Sequence, residues 1–414
     1  MVCMSATPQS LDLSRLVELS RSLGEGGSAL DRRKKYLETY HGTPFETDQI
    51  FLKNYERPND EPTSFDPADV AGGASDLPPF PFSIGCAGTS LRLEGLPVGV
   101  KVHSGDLGGD SKVLEEPLAN PNDRFHFINA ALRNSYQRIV VQKGVRGAVT
   151  RLTSLPGTRK ALHRRTELVF GSGSALTFVD RIADPPSRPS DGFMTESADV
   201  VLEPDASVVF VLFSTGKTSV ALNYRVRLGR NSRLAFSLWG GGNPYIRARG
   251  DIILEGEGAD AGVFWGSYAH DRARHDMLTR VEHWGRNTTG LAMQGAVVKS
   301  ASRSLMKGMM VIRNPARGSD SHLKQHALLL THDSFANAIP GLEIETNDLK
   351  AKHAASVSQP DDEQLFYLAS RGFTKDEAVM AVAAGTVEHV VKNIKDDAVK
   401  EALYSEIRSA LASS

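Results

Sequence analysis

From about Ser83 to Ser356 the chain is written in short β-type segments with almost no helical period between them. RIVVQ at 138–142, SVVFVLFS at 207–214, VALNYRVRL at 220–228, RLAFSLW at 233–239 and AGVFWGSYA at 261–269 set the texture. LAMQGAVV at 291–298, LMKGMMVIR at 305–313, HALLL at 326–330 and GLEIE at 341–345 continue it. Gly, Asn, Asp or charged pairs separate the segments, and tight hairpin pairs such as Asn-Gly do not join them. So many strands without hairpins suit a solenoid of stacked rungs, in which each rung buries its inward positions only against its neighbours. The hexapeptide pattern of left-handed solenoids is missing, which points to a right-handed parallel β-helix, although the repeat is too degenerate to give a rung length. The predicted fold class is therefore mainly β, with a right-handed parallel β-helix core.

Both flanks change character. Leu11, Leu13, Leu16, Val17 and Leu19 recur at helical spacing, SALDRRKKYLETY at 28–40 does the same, and the Gly-rich stretch Gly24 to Gly27 divides them into an expected helical hairpin. Residues 54–82 are rich in Pro, Asp, Gly and Ser without a period, and read as a linker or irregular wrap, disordered in part. After Pro360 the helical period returns in DDEQLFYLASRGF and in the Ala- and Val-rich run that follows Lys375. The expected division is 1–82 helical region and linker, 83–356 β-helix core, and 357–414 C-terminal helical domain.

Charge and cysteine usage exclude several function classes. Lys and Arg number 48 against 49 Asp and Glu, so nothing marks a dedicated nucleic-acid or membrane-surface binder. The longest apolar runs have strand length, short of the roughly 20 residues that cross a bilayer. The N-terminus lacks the basic start and apolar segment of a secretory signal, and cytoplasmic residence is the expectation. The 2 cysteines, Cys3 and Cys86, exclude a disulfide framework and a four-thiolate metal site within one chain.

Two phosphate-loop lookalikes fail on context. Gly216-Lys217-Thr218 ends like a Walker A loop, but the glycine needed five positions earlier is Val211 and the continuation is β-like, so a polar turn between rungs is expected. EGEGADAG at 255–262 follows a strand as a dinucleotide loop does, yet VFWGSYA then reads as another strand where a helix is required. Histidines gather in the second half of the chain, at 270, 275, 283, 322, 326, 332, 353 and 389. His322 and His326 are four apart, a spacing that converges on a helix but not in a β segment, and no H-E-x-x-H or Cys-x-x-Cys accompanies them.

The junction LEIETNDLKAKHAASVSQPDDEQLFYLASRGF, residues 342–373, closely resembles the SufB/SufD family, scaffold subunits of the SUF iron–sulfur cluster assembly machinery. Members carry P-x-L-E-I…D-(V/L)-K-x-x-H-x-A-T…D-x-E-Q-L-F-Y-L-x-S-R-G there. Pro340, Leu342, Glu343, Ile344, Asp348, Lys350, His353, Ala355 and the run Asp362–Leu368 with Ser370, Arg371 and Gly372 match as they stand. Asn129, Ala130, Asn134, Val141, Lys143 and Gly144 upstream, and His283, Gly285, Arg286, Thr288, Thr289, Gly290, Gly308 and Gln325 in the core, extend the resemblance over about 83–395.

The resemblance implies a β-helix flanked by helical domains. It also implies pairing with a second SufB/SufD-type subunit, in a homo- or heterodimer, and docking of a SufC-like ABC ATPase through the C-terminal helices. Gln364, Leu365, Phe366, Tyr367, Arg371, Gly372 and Phe373 are the candidate docking region, against a plainer reading in which the helix pair caps the end of the solenoid. Iron–sulfur clusters would be handled at the subunit junction. Here the chain departs from the pattern: SufB-type members follow the motif histidine with Glu where this chain has Ala354, and many SufD-type members carry Cys where it has Ala351. His353 is then the obvious candidate donor, for metal and for cluster. One imidazole cannot hold a cluster, so any cluster is transient and shared, none is bound by this chain alone, and the partner supplies the thiolates.

The expected function is a non-catalytic scaffold subunit, SufD-like or a divergent member of the family, with no catalytic residue, nucleic acid or membrane partner. The rivals are a carbohydrate-active β-helix enzyme, which would need clustered carboxylates, or calcium with a basic residue, in an open groove, and a structural homologue without cluster chemistry.

Overall fold

A computed structural model of the chain describes residues 13–43, 66–67, 83–87, 90–104, 123–154, 160–184 and 191–412. Helices α1 (Leu13–Ser22) and α2 (Gly27–Gly42) come first, then strands β1 (Asp66–Pro67), β2 (Ser83–Ala87), β3 (Ser90–Glu94) and β4 (Val100–Ser104), then helix α3 (Arg124–Leu132). A continuous run of strands follows: β5 (Ser135–Val141), β6 (Arg146–Ser154), β7 (Lys160–Phe170), β8 (Ala175–Ala183), β9 (Phe193–Leu202), β10 (Ser207–Thr215), β11 (Ser219–Leu228) and β12 (Arg233–Gly241). It continues as β13 (Tyr245–Leu254), β14 (Asp260–Ala269), β15 (Arg274–His283), β16 (Thr289–Val298), β17 (Arg303–Ile312), β18 (Ser319–Leu329), β19 (Phe335–Ile344) and β20 (Leu349–Ser358). Helices α4 (Asp362–Ser370), α5 (Lys375–Val387), α6 (His389–Lys392) and α7 (Asp397–Ala412) end the chain. Of the segment 54–82, all but Asp66–Pro67 lies outside the described residues, as do Cys3 and the Cys86 side chain.

From β5 onward, odd- and even-numbered strands go to opposite sheets. One 10-stranded sheet runs β19-β17-β15-β13-β11-β9-β7-β5-β4 with β1 beside β7, and the other runs β20-β18-β16-β14-β12-β10-β8-β6-β2-β3. Among β5 to β20 every pairing is parallel, so the chain winds as a β-solenoid with two strands per coil, as its lack of hairpin turns predicts. The repeat is illegible in the sequence because its length drifts. Ser207 pairs with Arg233, Arg233 with Asp260, Asp260 with Thr289 and Thr289 with Asp320, giving coils of 26, 27, 29 and 31 residues.

What does repeat is a corner. Gly144, Gly173, Asp205, Asn231, Gly258, Asn287 and Gly318 all have φ between 53° and 76° and stand at the same corner of successive coils. Glycine adopts this left-handed conformation without a Cβ penalty, and Asn and Asp tolerate it best among the others. From the second of these corners on, a small buried residue follows: Ser174, Ala206, Ser232, Ala259, Thr288 and Ser319.

Strand alternation sends every second side chain into the lumen. Phe178, Phe210 and Phe236 are in register there, with ring centroids 5.3 and 4.7 Å apart, and Trp265 follows at 5.6 Å. The outer faces are covered separately. On the odd sheet, Leu16, Leu37 and Tyr40 of α1 and α2 and Phe125 and Ile128 of α3 pack on Ala161, Phe193, Ala221 and Tyr245. On the even sheet, Val387, Val390, Leu403 and Ile407 pack on Val211, Phe213, Trp239 and Tyr268.

Two expectations are corrected. The stretch 83–356 is not all β, since α3 interrupts it. Phe125, His126, Phe127, Ile128, Asn129, Ala131 and Leu132 are all buried, so α3 has no polar face and no amphipathic signal to show. The plainer reading of the C-terminal helices, as a cap on the solenoid end, also fails. Helices α5, α6 and α7 lie along the flank of the even sheet, against β10 to β18.

Candidate functional site

With the helices on the flank, the last coil is left uncovered. Strands β19 and β20 are the edges of the two sheets, and among the described residues no strand pairs with their far sides. Pro340 stands in the middle of β19, where its missing N–H is tolerated because the strand is an edge. His353 on β20 is in register with Leu323, Ala292, Val263 and Phe236, an inward-facing column whose other members belong to the core. It is nevertheless exposed, because no described strand lies beyond it, and it has no hydrogen bond or ion pair to a described residue. Ile344 and Val357, also at inward positions of the last coil, are 47% and 44% exposed. Lys350 and Lys352 occupy the opposite face of β20 and are exposed.

The segment after β20 leads straight into α4. Asp361 caps it, its side chain accepting from the Glu363 N–H at 2.8 Å, and Asp362 and Glu363 suit the positive end of the helix dipole. None of its residues is buried. Phe366 and Tyr367 are 77% and 57% exposed, and Arg371 lies over the Tyr367 ring at 5.1 Å. Gly372, at φ 97°, ends the helix, with the Phe373 N–H reaching back to the Leu368 carbonyl at 3.2 Å. Thr374 and Glu377 form a capping box that starts α5 at once. Gln364, Leu365, Phe366, Tyr367, Arg371, Gly372 and Phe373 thus share one short projecting helix and its elbow, next in the chain to the strand that carries His353.

The remaining histidines are dispersed. His322 pairs with Asp320 at 3.0 Å, and His326 bonds Ser356 at 2.8 Å. His275 bonds the Asn243 carbonyl, His283 bonds Thr288 and Ser321, and His389 donates to the Trp265 carbonyl at 2.8 Å. Among the described residues no three His, Cys, Asp or Glu side chains converge as metal ligands. The lookalike loops are turns: Lys217 N–H and Thr218 Oγ1 donate to Asp184 between β10 and β11, and Gly258 is a left-handed corner. No helix among the described residues is long and apolar enough to cross a membrane.

The sequence reading missed a charge cluster in the lumen. Arg151, Arg164, Asp180 and Glu196 are each fully buried. Glu196 accepts from Arg151 and Arg164 at 2.8 Å, from Thr166 at 2.6 Å and from Tyr224 at 3.0 Å, and Arg151 also donates to Asp180. Burial alone would raise the Glu196 carboxyl, but the two guanidiniums override it and hold it well below the usual carboxylate range. The signal was available: Arg151 has the same strand parity as Val149, and Glu196 the same as Met194 and Ala198. These carboxylates are sealed inside against arginines and line no open groove, as a carbohydrate-active site would require.

Residues 152–386, more than half of the chain, match the family described as SUF system FeS cluster assembly, SufBD core domain. The iron–sulfur cluster assembly protein SufD of Bacillus subtilis is 27% identical over 256 residues, covering 60% of this chain and 57% of that protein. A SufBD family protein of Mycobacterium leprae is 25% identical over 232 residues, 56% of this chain and 27% of that protein. One from Staphylococcus epidermidis is 22% identical over 280 residues, 66% and 59% of the two chains. The match therefore spans between a quarter and three fifths of the length of these relatives.

Proposed function

Because the chain belongs to the SufBD family of iron–sulfur cluster assembly proteins, we propose that it serves that process as a non-catalytic scaffold. It pairs its open end with a second SufB/SufD-type subunit, a copy or a paralogue, and docks a SufC-like ABC ATPase through α4. The uncovered last coil carries this reading. A solenoid normally closes its ends, because an end coil exposes both inward apolar side chains and unpaired backbone groups. A second solenoid continuing the two sheets would bury Ile344 and Val357 and take His353 into the junction.

The cluster is cargo here. His353 offers it one imidazole, suited to a labile position, and soft thiolates come from the partner. Phe366, Tyr367 and Arg371 have the composition of an interface anchor, in which aromatic and Arg side chains are enriched. ATP hydrolysis on the partner then drives the conformational change at the junction.

Co-expression of the tagged chain with the ABC ATPase and SufB/SufD-type paralogue of its host tests this. Both proteins are expected to co-purify, and Phe366→Ala should weaken ATPase capture about tenfold or more. His353→Ala should leave the complex intact and slow cluster assembly in it. A chain that captures neither protein overturns the scaffold reading, whereas an intact complex with unchanged assembly in His353→Ala leaves a purely structural subunit.

A further inference from the structure

The two edges of the open end carry opposite charge. On the even lip, Lys350 and Lys352 are exposed on the outer face of β20 and have no ion pair to a described residue. On the odd lip, Glu343 is the last outward residue of β19 and Glu345 follows at the corner, both exposed. Among the described residues they share one cation, Arg313, at 2.9 and 2.6 Å, and Arg313 also serves Glu282 at 2.6 Å. Even with Asp320 in register beside Lys350, the even lip keeps a positive excess and the odd lip a negative one.

Symmetry decides where these charges can meet. The two strands of a coil run in opposite directions on either side of the lumen. A twofold axis parallel to the strands therefore lays β20 antiparallel to the partner's β19, and β19 antiparallel to the partner's β20. Such an axis allows no sliding along the strands. Each residue of β20 must lie beside the partner's copy of the β19 residue that faces it across its own lumen. The facing residues follow from the preceding coil, where a Cβ on Gly308 would stand 2.7 Å from Leu323 Cδ1 and 3.2 Å from Gln325 Nε2. Gly308 is in register with Pro340, Leu323 with His353 and Gln325 with Ala355, so Pro340 faces the step between His353 and Ala355.

Two registers satisfy that relation, with the partner's Pro340 opposite His353 or opposite Ala355. In the first, Lys350 stands opposite the partner's Glu343. In the second, Lys352 stands opposite the partner's Glu343 and Lys350 opposite the partner's Glu345. Inside the lumen Ala351 then meets the partner's Leu342 or the partner's Ile344, small against large. An axis perpendicular to the sheets would instead join β20 to the partner's β20. Centred on that strand, it leaves each lysine opposite an alanine or a serine, with its charge unanswered.

Resting on the open-end pairing proposed above, we infer that the partner this end fits is a second copy of the chain, joined about a twofold axis parallel to the strands. Each β20 continues onto the other chain's β19, and Lys350 and Lys352 meet Glu343 and Glu345. Both sheets then run on through the junction over edges of 10 residues each, which gives the bare edge groups partners and encloses His353. A paralogue recruited to the same end has to displace the copy.

Disulfide trapping in the full chain, with Cys3 and Cys86 changed to Ser, tests the arrangement. Directly opposed residues of an antiparallel pair bring their Cβ atoms to about 4.5–5.5 Å. Oxidation should therefore link two chains in Glu343→Cys/Lys350→Cys or in Glu343→Cys/Lys352→Cys, and in none of the three single variants. Ala354→Cys alone should give no dimer, because the two copies of that residue lie on opposite sheets; a disulfide dimer from it overturns the proposal in favour of β20 on β20. In sedimentation the unaltered chain should dimerise, and Lys350→Glu/Lys352→Glu should raise the dimer Kd about tenfold or more with the strand circular-dichroism signal retained. An unchanged Kd overturns the charge pairing. A chain that stays monomeric alone but captures the paralogue overturns the self-pairing and leaves the scaffold reading standing, whereas a trapped dimer that captures neither paralogue nor ATPase does the reverse.

Discussion

Glu196 is the residue on which the interior charge balance turns, because it accepts from both buried arginines at once. Replacing it with Ala leaves two guanidiniums to share Asp180 in a low-dielectric lumen. The expected loss is about 3–5 kcal/mol in chemical denaturation, the cost of breaking a buried pair from one side. Changing Arg164 and Glu196 together to Met should cost less than Glu196→Ala alone, since no charge is then stranded; a larger loss in the double variant would show that the pair is worth more than its desolvation. His353 is the opposite case. It is exposed and has no hydrogen bond or ion pair to a described residue, so it was picked out as a candidate only by the motif around it. The lumen residues were readable in principle by strand parity, but a charged residue at an inward position is ordinarily taken as a sign that the strand has been placed out of register.

Among the elements, the C-terminal helices are held to the even sheet by close approach. Gly295 of β16 has His389 Cε1 2.6 Å and the Thr386 carbonyl oxygen 2.8 Å from where its Cβ would be. A side chain there has to push backbone aside, so Gly295→Val should release α5 and α6 while the solenoid persists. Limited proteolysis checks it: cleavage within 375–412 should speed up with the strand circular-dichroism signal retained, and an unchanged cleavage rate would show that the seam accommodates the change. Helix α4 needs no such seam, and with Phe366 mostly exposed, Phe366→Ala should alter stability by no more than about 0.5 kcal/mol. The helices outside the solenoid were legible where one face was polar, as in α7. Helix α3 was not, because it is buried on all sides and reads as an apolar run.

For the whole molecule the buried histidines make folding acid-sensitive. Burial pushes His126, His275 and His283 down to about 4 and His163 to about 3, from an ordinary value of 6.5. The folded state therefore holds them neutral while the unfolded chain takes up protons below pH 6.5. Stability is full above about pH 6.5 and falls as pH drops toward 4, and Glu196, whose folded value is also depressed, adds loss in the same direction below the ordinary carboxylate range. Tm should stay level from pH 8 to 7 and fall by more than about 5 °C between pH 6.5 and 4.5. A level Tm across that interval would mean that these imidazoles titrate normally in the folded chain.

The sequence by itself determined the class of fold and the family. A long series of β segments without hairpin turns has few ways to bury its inward faces except by winding, and the ordered motif from Pro340 to Gly372 is local enough to survive reading as a string. Coil length, the sealed charge cluster and the position of the C-terminal helices were decided only in three dimensions. Each depends on which residues face one another across coils of 26 to 32 residues, and a drifting repeat conceals that pairing until the chain is wound. The same winding leaves the last coil bare, and so turns His353 from a letter in a motif into an imidazole at an open end.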